Sequence, residues 1–244
     1  MRTRTKGFSL IETSIVLVIF GMLMTPLLSL LISTTKQAQY TNTKTALVNI
    51  QNALIGYVQA NGFLPCATHT TNPASPLYGM PDALVGGACP ILAARGYLPW
   101  ALLGVPPMDS WGSTRASIAG PWPGYWRYRV DATFSTPCAT PPCTALVAPS
   151  KSTITLSVVA GTGDNLVVVT GPLLISPLVA AAGTPAAIIY SAGPNVTDDG
   201  LNAVYGPTYQ STTPSTVPVY DDITVVISKA TIGAMMAQVG NLHP

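Results

Sequence analysis

Four aspartates, Asp198, Asp199, Asp221 and Asp222, stand in two adjacent pairs around one long segment. That segment leaves a predicted strand ending at Ser191 and returns as one starting at Ile223. A loop closing on itself brings such carboxylates together, and converging like charges must take up a cation or protonate. Calcium uses six to eight oxygens from carboxylates, amide carbonyls and backbone, and Asn195 offers one more. The plainer alternative is that these residues form Asx turns and cap strand ends.

Glu12 poses a different problem. It is the only glutamate in the sequence, at the head of the least polar segment, with no charged residue after it until Lys36. An ionised carboxylate at membrane depth costs a few kcal/mol, so it marks function and needs a partner. A free α-amino group would be a natural one.

The four cysteines, Cys66, Cys89, Cys138 and Cys143, all follow the apolar run. An even count in an exported region predicts disulfides rather than metal ligands. A tight Cys138–Cys143 loop with Cys66–Cys89 as the second pair is one of three pairings open to them, and free buried thiols are the alternative. No CxxC spacing is present, which argues against zinc and thioredoxin-like chemistry. The histidines, His69 and His243, sit in no Ser/His/Asp or metal spacing. An exported, membrane-tethered enzyme is therefore a remote alternative, and no catalytic residue is assigned.

The elements that must position these groups begin with a helix. Thr13 to Thr35 is uncharged and, at ~1.5 Å per residue, would reach about 35 Å, enough to cross a bilayer. Arg2, Arg4 and Lys6 precede it and put that end in the cytoplasm. A secretory signal peptide would have a shorter apolar region and an A-x-A-like cleavage site. A plain anchor would have no use for Glu12. Gly21 and Pro26 predict a kink or local melting near Met22–Pro26. From Thr34 the pattern turns amphipathic, with Leu47, Ile50, Leu54, Tyr57 and Val58 at helical spacing and a stop at Asn61-Gly62. The prediction is one helix from about Ser9 to Ala60, its second half docked on a head.

In the head, Tyr125–Asp131 alternates as a strand, and further strands are predicted at Thr153–Val159, Leu166–Thr170, Ala187–Ser191 and Ile223–Ser228. Thr162–Asn165 is read as a hairpin turn, Lys229–Val239 as a terminal helix and Ala203–Pro218 as an exposed loop. Trp100, Trp111, Trp122 and Trp126, with Tyr125 and Tyr128, concentrate the aromatic surface. They can pack the sheet against the long helix; alternatively they can stack on sugar, with Arg127 and Arg129 adding cation–π contacts.

Only 8% of residues are charged, which argues against a solvated disordered chain and against a clustered basic footprint for nucleic acid. Removing Arg2, Arg4 and Lys6 from the eleven basic residues leaves eight against nine acidic ones, so the excess positive charge belongs to the first residues.

Lys6-Gly7-Phe8-Ser9-Leu10-Ile11-Glu12 resembles the N-terminus of the type IV prepilin superfamily, the pilins and the pseudopilins of type II secretion. The family pattern is a short basic leader ending in Gly, then Phe, then glutamate at the fifth mature position. Gly7, Phe8 and Glu12 match it. The resemblance extends to the post-helix segment, where Leu98-Pro99, Asp109-Ser-Trp-Gly112 and the Tyr125–Asp131 strand look like secretion pseudopilins. It implies an α+β fold, with a long N-terminal helix whose second half packs on an antiparallel sheet. The expected divisions are a leader (1–7), a transmembrane and filament-core half-helix (8–33), an amphipathic half-helix (34–62) and a β-rich head (63–244).

The resemblance also implies that a prepilin peptidase cuts between Gly7 and Phe8 and methylates the new amine of Phe8. The mature chain would wait in the bacterial inner membrane with its head in the periplasm. An assembly platform would then move it into a filament of like subunits, where Glu12 meets a neighbour's terminal amine. In secretion pseudopilins a Ser-x-Gly…Asp-Gly…Asp-Asp loop binds calcium. Ser191-Ala-Gly193, Asp199-Gly200 and Asp221-Asp222 look like it, which adds Ser191 to Asn195, Asp198, Asp199, Asp221 and Asp222 as expected ligands. The expected function is a structural subunit; the alternative is a minor subunit whose head recognises a surface, secreted cargo or DNA.

Overall fold

In the computed structural model, residues 10–87, 89–90, 96–115, 117–135, 155–158, 185–203, 208–211, 215–216 and 219–238 are described. Two compact units divide the chain, Met1–Asn42 and Thr43–Pro244. Helix α1 (Leu10–Asn61) contributes to both.

In the first unit the large apolar side chains from Leu10 to Met24 are exposed, Leu10 by 91% and Leu17 by 71%. Thr13 and Ser14 donate their hydroxyls to the carbonyls of Leu10 and Ile11, so they add little polarity to this surface. Among the described residues no helix is both long and apolar enough to cross a membrane. The helix runs unbroken past Gly21 and Pro26, so the melting expected there is absent. Proline removes one backbone donor, and the turns on either side carry the helix across.

In the second unit α1 turns one stripe inward. Thr43, Leu47, Ile50, Leu54 and Val58, three or four residues apart, are all at most 1% exposed. Gly62 ends the helix at φ +80°, its N–H donating to the Val58 carbonyl over 2.7 Å.

The other elements among the described residues are α2 (Trp100–Leu103), α3 (Lys229–Gln238) and seven strands. These are β1 (Arg127–Val130), β2 (Thr155–Val158), β3 (Pro185–Ser191), β4 (Thr208–Ser211), β5 (Ser215–Thr216), β6 (Val219–Tyr220) and β7 (Ile223–Ser228). The main sheet is antiparallel in the order β1-β3-β7. β2 pairs with β4 in parallel, and β5 pairs with β6 antiparallel. The architecture is α+β and pilin-like, as the sequence predicts.

Every residue of β3 is buried, which explains its continuous apolar run. Register puts Tyr128, Ile189 and Val225 on one face and Arg129, Ile188 and Val226 on the other. On the first face Tyr128 donates its hydroxyl to the Pro65 carbonyl, just past α1, and Ser191 meets Asp109. On the second, Ile188 and Tyr190 pack against Tyr209 of β4. That last contact corrects the expected exposed loop at Ala203–Pro218. Tyr209 and Gln210 are buried there at 4% and 9% exposure, because the second face of β3 needs a cover.

The aromatic residues pack. Trp122 stacks on Tyr97 with ring centres 3.9 Å apart and planes 17° off parallel, and Tyr78, Trp100 and Tyr125 close round them edge-on or stacked. Arg115 lies 3.8 Å from the Trp122 ring centre and Arg127 lies 4.8 Å from that of Tyr97. Trp126 is fully buried and donates its indole N–H to the Pro106 carbonyl. The strand expected at Leu166–Thr170 and the turn at Thr162–Asn165 lie outside the described residues.

Candidate functional site

The aspartate loop is shaped by two glycines and one buried amide. Beyond β3, Gly193 takes φ +65°, and a Cβ there would lie 2.4 Å from the Asp221 carbonyl oxygen and 2.5 Å from Asp221 Oδ1. Only glycine lets the two limbs of the loop approach so closely. Asn195 accepts the Thr197 N–H at 2.7 Å, an Asx turn, and Val196 between them has φ 53°. A β-branched residue in that region is strained, so the surrounding contacts must hold it. At Gly200 a Cβ would lie 2.2 Å from Gln210 Oε1. A single 3₁₀ turn, Gly200–Ala203, then presents Asn202, which is 1% exposed. Asn202 Nδ2 reaches Asp222 Oδ2 at 2.9 Å, and its Oδ1 accepts the Gln210 N–H at 2.8 Å.

These restraints gather Asp199, Asp221 and Asp222, each with a carboxylate oxygen within 4.8 Å of the others. Asp222 Oδ2 accepts the Asp199 N–H at 3.0 Å, and Asp199 Oδ2 accepts the Asp221 N–H at 2.8 Å. The second oxygens, Asp221 Oδ1 and Asp222 Oδ1, are buried with no hydrogen-bond partner among the described residues. For Asp222, only 3% exposed, that is a costly arrangement. Burial pushes the Asp222 carboxyl up to about 7, with repulsion from Asp198 and Asp199 adding to it against the hydrogen bonds from the Asp199 N–H and Asn202. Burial, then the Asp199 charge, pushes Asp221 up to about 6. Three carboxylates with two buried oxygens that face no donor among the described residues fit a hard cation bound through oxygen.

The remaining expected ligands have other partners. Asp198 is held by Arg127, Nε to Oδ1 at 3.1 Å, in a buried ion pair. Ser191 Oγ donates to Asp109 Oδ2 at 2.5 Å and accepts the Gly193 N–H at 3.0 Å. Asn195 turns its Nδ2 toward both oxygens of Asp199 at 3.2 Å. Sequence reading passed over Asn202 and Asp109 as site residues. Nothing local marks Asn202, whereas Asp109 opens the Asp-x-Trp-Gly motif. Its Oδ1 accepts the Trp111 N–H at 2.9 Å, and burial raises its carboxyl above the usual range.

Cys66 and Cys89 form a disulfide with Cα atoms 5.3 Å apart, while Cys138 and Cys143 lie outside the described residues. His69 bonds Asp82 through Nδ1 inside the loop that this disulfide closes. His243 lies outside the described residues.

At the N-terminus Gly7 and Phe8 lie outside the described residues, and Glu12 is exposed in the first turn of α1. Residues 2–28 match the family model of the prokaryotic N-terminal methylation motif. The chain carries the type IV prepilin signature. Comparison with curated proteins gives no match, nor does comparison with solved structures. The prepilin signature, itself a structural motif, supports a pilin-like or pseudopilin-like exported protein. It implies processing by a prepilin peptidase and assembly with pilin subunits.

Proposed function

We propose that the protein is a structural subunit of a type IV pilus-like filament or type II secretion pseudopilus. It is cut between Gly7 and Phe8, methylated on Phe8, and assembled through the N-terminal half of α1. The observation that carries this reading is the methylation-motif match, with Glu12 the one acidic residue of the helix behind it. Before assembly the apolar run from Thr13 to Thr35 holds the chain in the inner membrane as a single pass, with the head in the periplasm. Residues 1–7 are the leader, 8–33 the membrane and filament-core part, 34–62 the amphipathic part and 63–244 the head.

Glu12 sets axial register. In the low-dielectric filament core its carboxylate meets the α-amine of a neighbouring Phe8, and a charged hydrogen bond replaces lost hydration. A misplaced subunit leaves both charges unpaired. Thr13 and Ser14 support this division of labour, because they are already bonded to their own helix.

In the head, Asp199, Asp221 and Asp222 would hold a calcium ion, with Asn195 beside them. When bound, the ion supplies the positive charge that the cluster lacks. The chain's own part is to fix the carboxylates: Asn202 orients Asp222, the Asp221 N–H orients Asp199, and Arg127 keeps Asp198 apart. Trp100, Trp122 and Tyr125, three of the rings that could have served a recognition surface, pack on one another and on Tyr97, which favours the structural subunit over a cargo- or surface-binding one.

Mass spectrometry of the native N-terminus tests the reading. The expected chain begins at methylated Phe8; one that still begins at Met1 would remove the amine that Glu12 needs. Glu12→Ala should reach the membrane in normal amount and stay out of sheared filaments. Normal incorporation would end the register role.

A further inference from the structure

The loop carrying the carboxylates is not anchored only to its own strands. Ser191 Oγ accepts the Gly193 N–H at 3.0 Å and donates to Asp109 Oδ2 at 2.5 Å. Gly193 in turn lies against Asp221, whose carbonyl and Oδ1 occupy the space a Cβ would need. Asp109 comes from a separate turn, closed by its own N–H to the Gly124 carbonyl at 2.8 Å and by Oδ1 to the Trp111 N–H. The next residue in that turn, Ser110, bonds to α1. Thr43 Oγ1 lies 3.2 Å from Ser110 Oγ and 3.4 Å from Ser110 N. Thr43 is fully buried at the end of the helix stripe, and its hydroxyl finds its cross-segment bonds only there among the described residues.

We infer that Asp109 is a positioning residue that couples the carboxylate loop to the seat of α1 on the head, through Ser191 on one side and Ser110–Thr43 on the other. This rests on the cation reading of the loop. The Ser191–Asp109 link is one hydrogen bond between buried groups, and Ser110 holds the buried Thr43 hydroxyl by its own hydroxyl and N–H, so a shift at either place leaves a buried polar atom unpaired. A cation that pulls Asp221 toward Asp199 and Asp222 moves the residue that Gly193 touches. The displacement then has a polar route to the Thr43 end of the helix by Ser191 and Asp109, separate from the Gln51 amide that joins α1 to the Val226 carbonyl of β7. Ser191 and Asp109 are thus not ligands but the means by which ligation is felt at Thr43. Because coupling is reciprocal, the factor by which the cation strengthens the helix seat is the factor by which an intact seat strengthens cation binding.

The test uses the full chain in detergent micelles, with calcium alone as the probe. Calcium affinity is measured by calorimetry, and amide exchange is followed over residues 43–50 and 108–112. Calcium should slow exchange in both stretches of the wild type. Thr43→Val, which keeps shape and removes the hydroxyl, should weaken calcium binding about fivefold or more, the low end of typical site couplings. In a Ser191→Ala background calcium should still bind, the slowing at 43–50 should be lost, and Thr43→Val should cost no further affinity. Calcium binding without slower exchange at 43–50 would overturn the coupling and leave the cation site standing. So would an equal loss from Thr43→Val in both backgrounds. No binding to the wild type would overturn the cation site and the coupling together.

Discussion

Asn202 Nδ2 lies 2.9 Å from Asp222 Oδ2, and the other oxygen of the same carboxylate is buried facing no donor. One half of Asp222 is thus fixed by the fold, and the other half is held ready for something that no described residue supplies.

Asp222→Asn should separate the two uses of that side chain. Removing the charge relieves repulsion from Asp198 and Asp199 and removes a ligand. The cation-free Tm should therefore hold or rise, while the rise caused by calcium in the wild type should disappear. Thermal unfolding with chelator and with calcium reads both. A variant that still gains Tm from calcium would place the ion elsewhere.

The cluster also sets a pH dependence. Asp221 and Asp222 titrate near 6 and 7 in the folded protein, above the ordinary aspartate value of 3.8, so the fold prefers them protonated. Their contribution is complete below the unfolded value and lost as pH rises through the folded ones. In chelator, Tm should fall between about pH 4 and 7, by ~2–4 °C for each kcal/mol lost. With calcium the fall should be smaller. A chelated protein whose Tm climbs over that interval would contradict the assignment.

Arg127→Ala strands Asp198. Both side chains are under a tenth exposed, and the guanidinium also bonds the Trp122 carbonyl and caps the Tyr97 ring. Breaking a buried pair from one side costs about 3–5 kcal/mol, a fall in Tm on the order of 10 °C. Denaturation of Arg127→Ala beside Arg127→Ala/Asp198→Asn checks it. The second change should restore part of the loss, because it removes the stranded charge.

Reducing the Cys66–Cys89 bond opens a loop of sequence separation 23. The chain-entropy relation gives about 3 kcal/mol for a loop of that size. Cys66→Ser/Cys89→Ser should lower the denaturation midpoint accordingly, with α1 helicity retained by circular dichroism.

Much of this architecture can be read from residue pattern. Leu47, Ile50, Leu54 and Val58 recur at helical spacing because one side of α1 must be dry, and the buried stripe follows them. Ala187–Ser191 and Ile223–Ser228 are apolar and β-branched enough to be strands wherever they pack. Thr208–Ser211 is different. Its sequence is polar, and it becomes a strand because Tyr209 fills the second face of β3, a demand set by residues twenty positions away. The aspartates signalled their own meeting, since a loop with acidic residues at both ends must bring them together. Which of them meet was settled by partners of distant origin: Arg127 removes Asp198, and Asp109 takes the Ser191 hydroxyl. No local pattern encodes those choices.

Gln51 on α1 donates its amide to the carbonyl of Val226 on β7, one border strand of the main sheet. On the opposite border the segment around Tyr97 bonds to β1, the Tyr128 N–H meeting the Gly96 carbonyl and the Leu98 N–H that of Trp126. Unsatisfied strand borders invite a second molecule to add its own strand. With these positions taken, part of each border is closed to strand addition, so in the proposed filament a neighbouring head would meet them through side chains, a contact that can slide or let go.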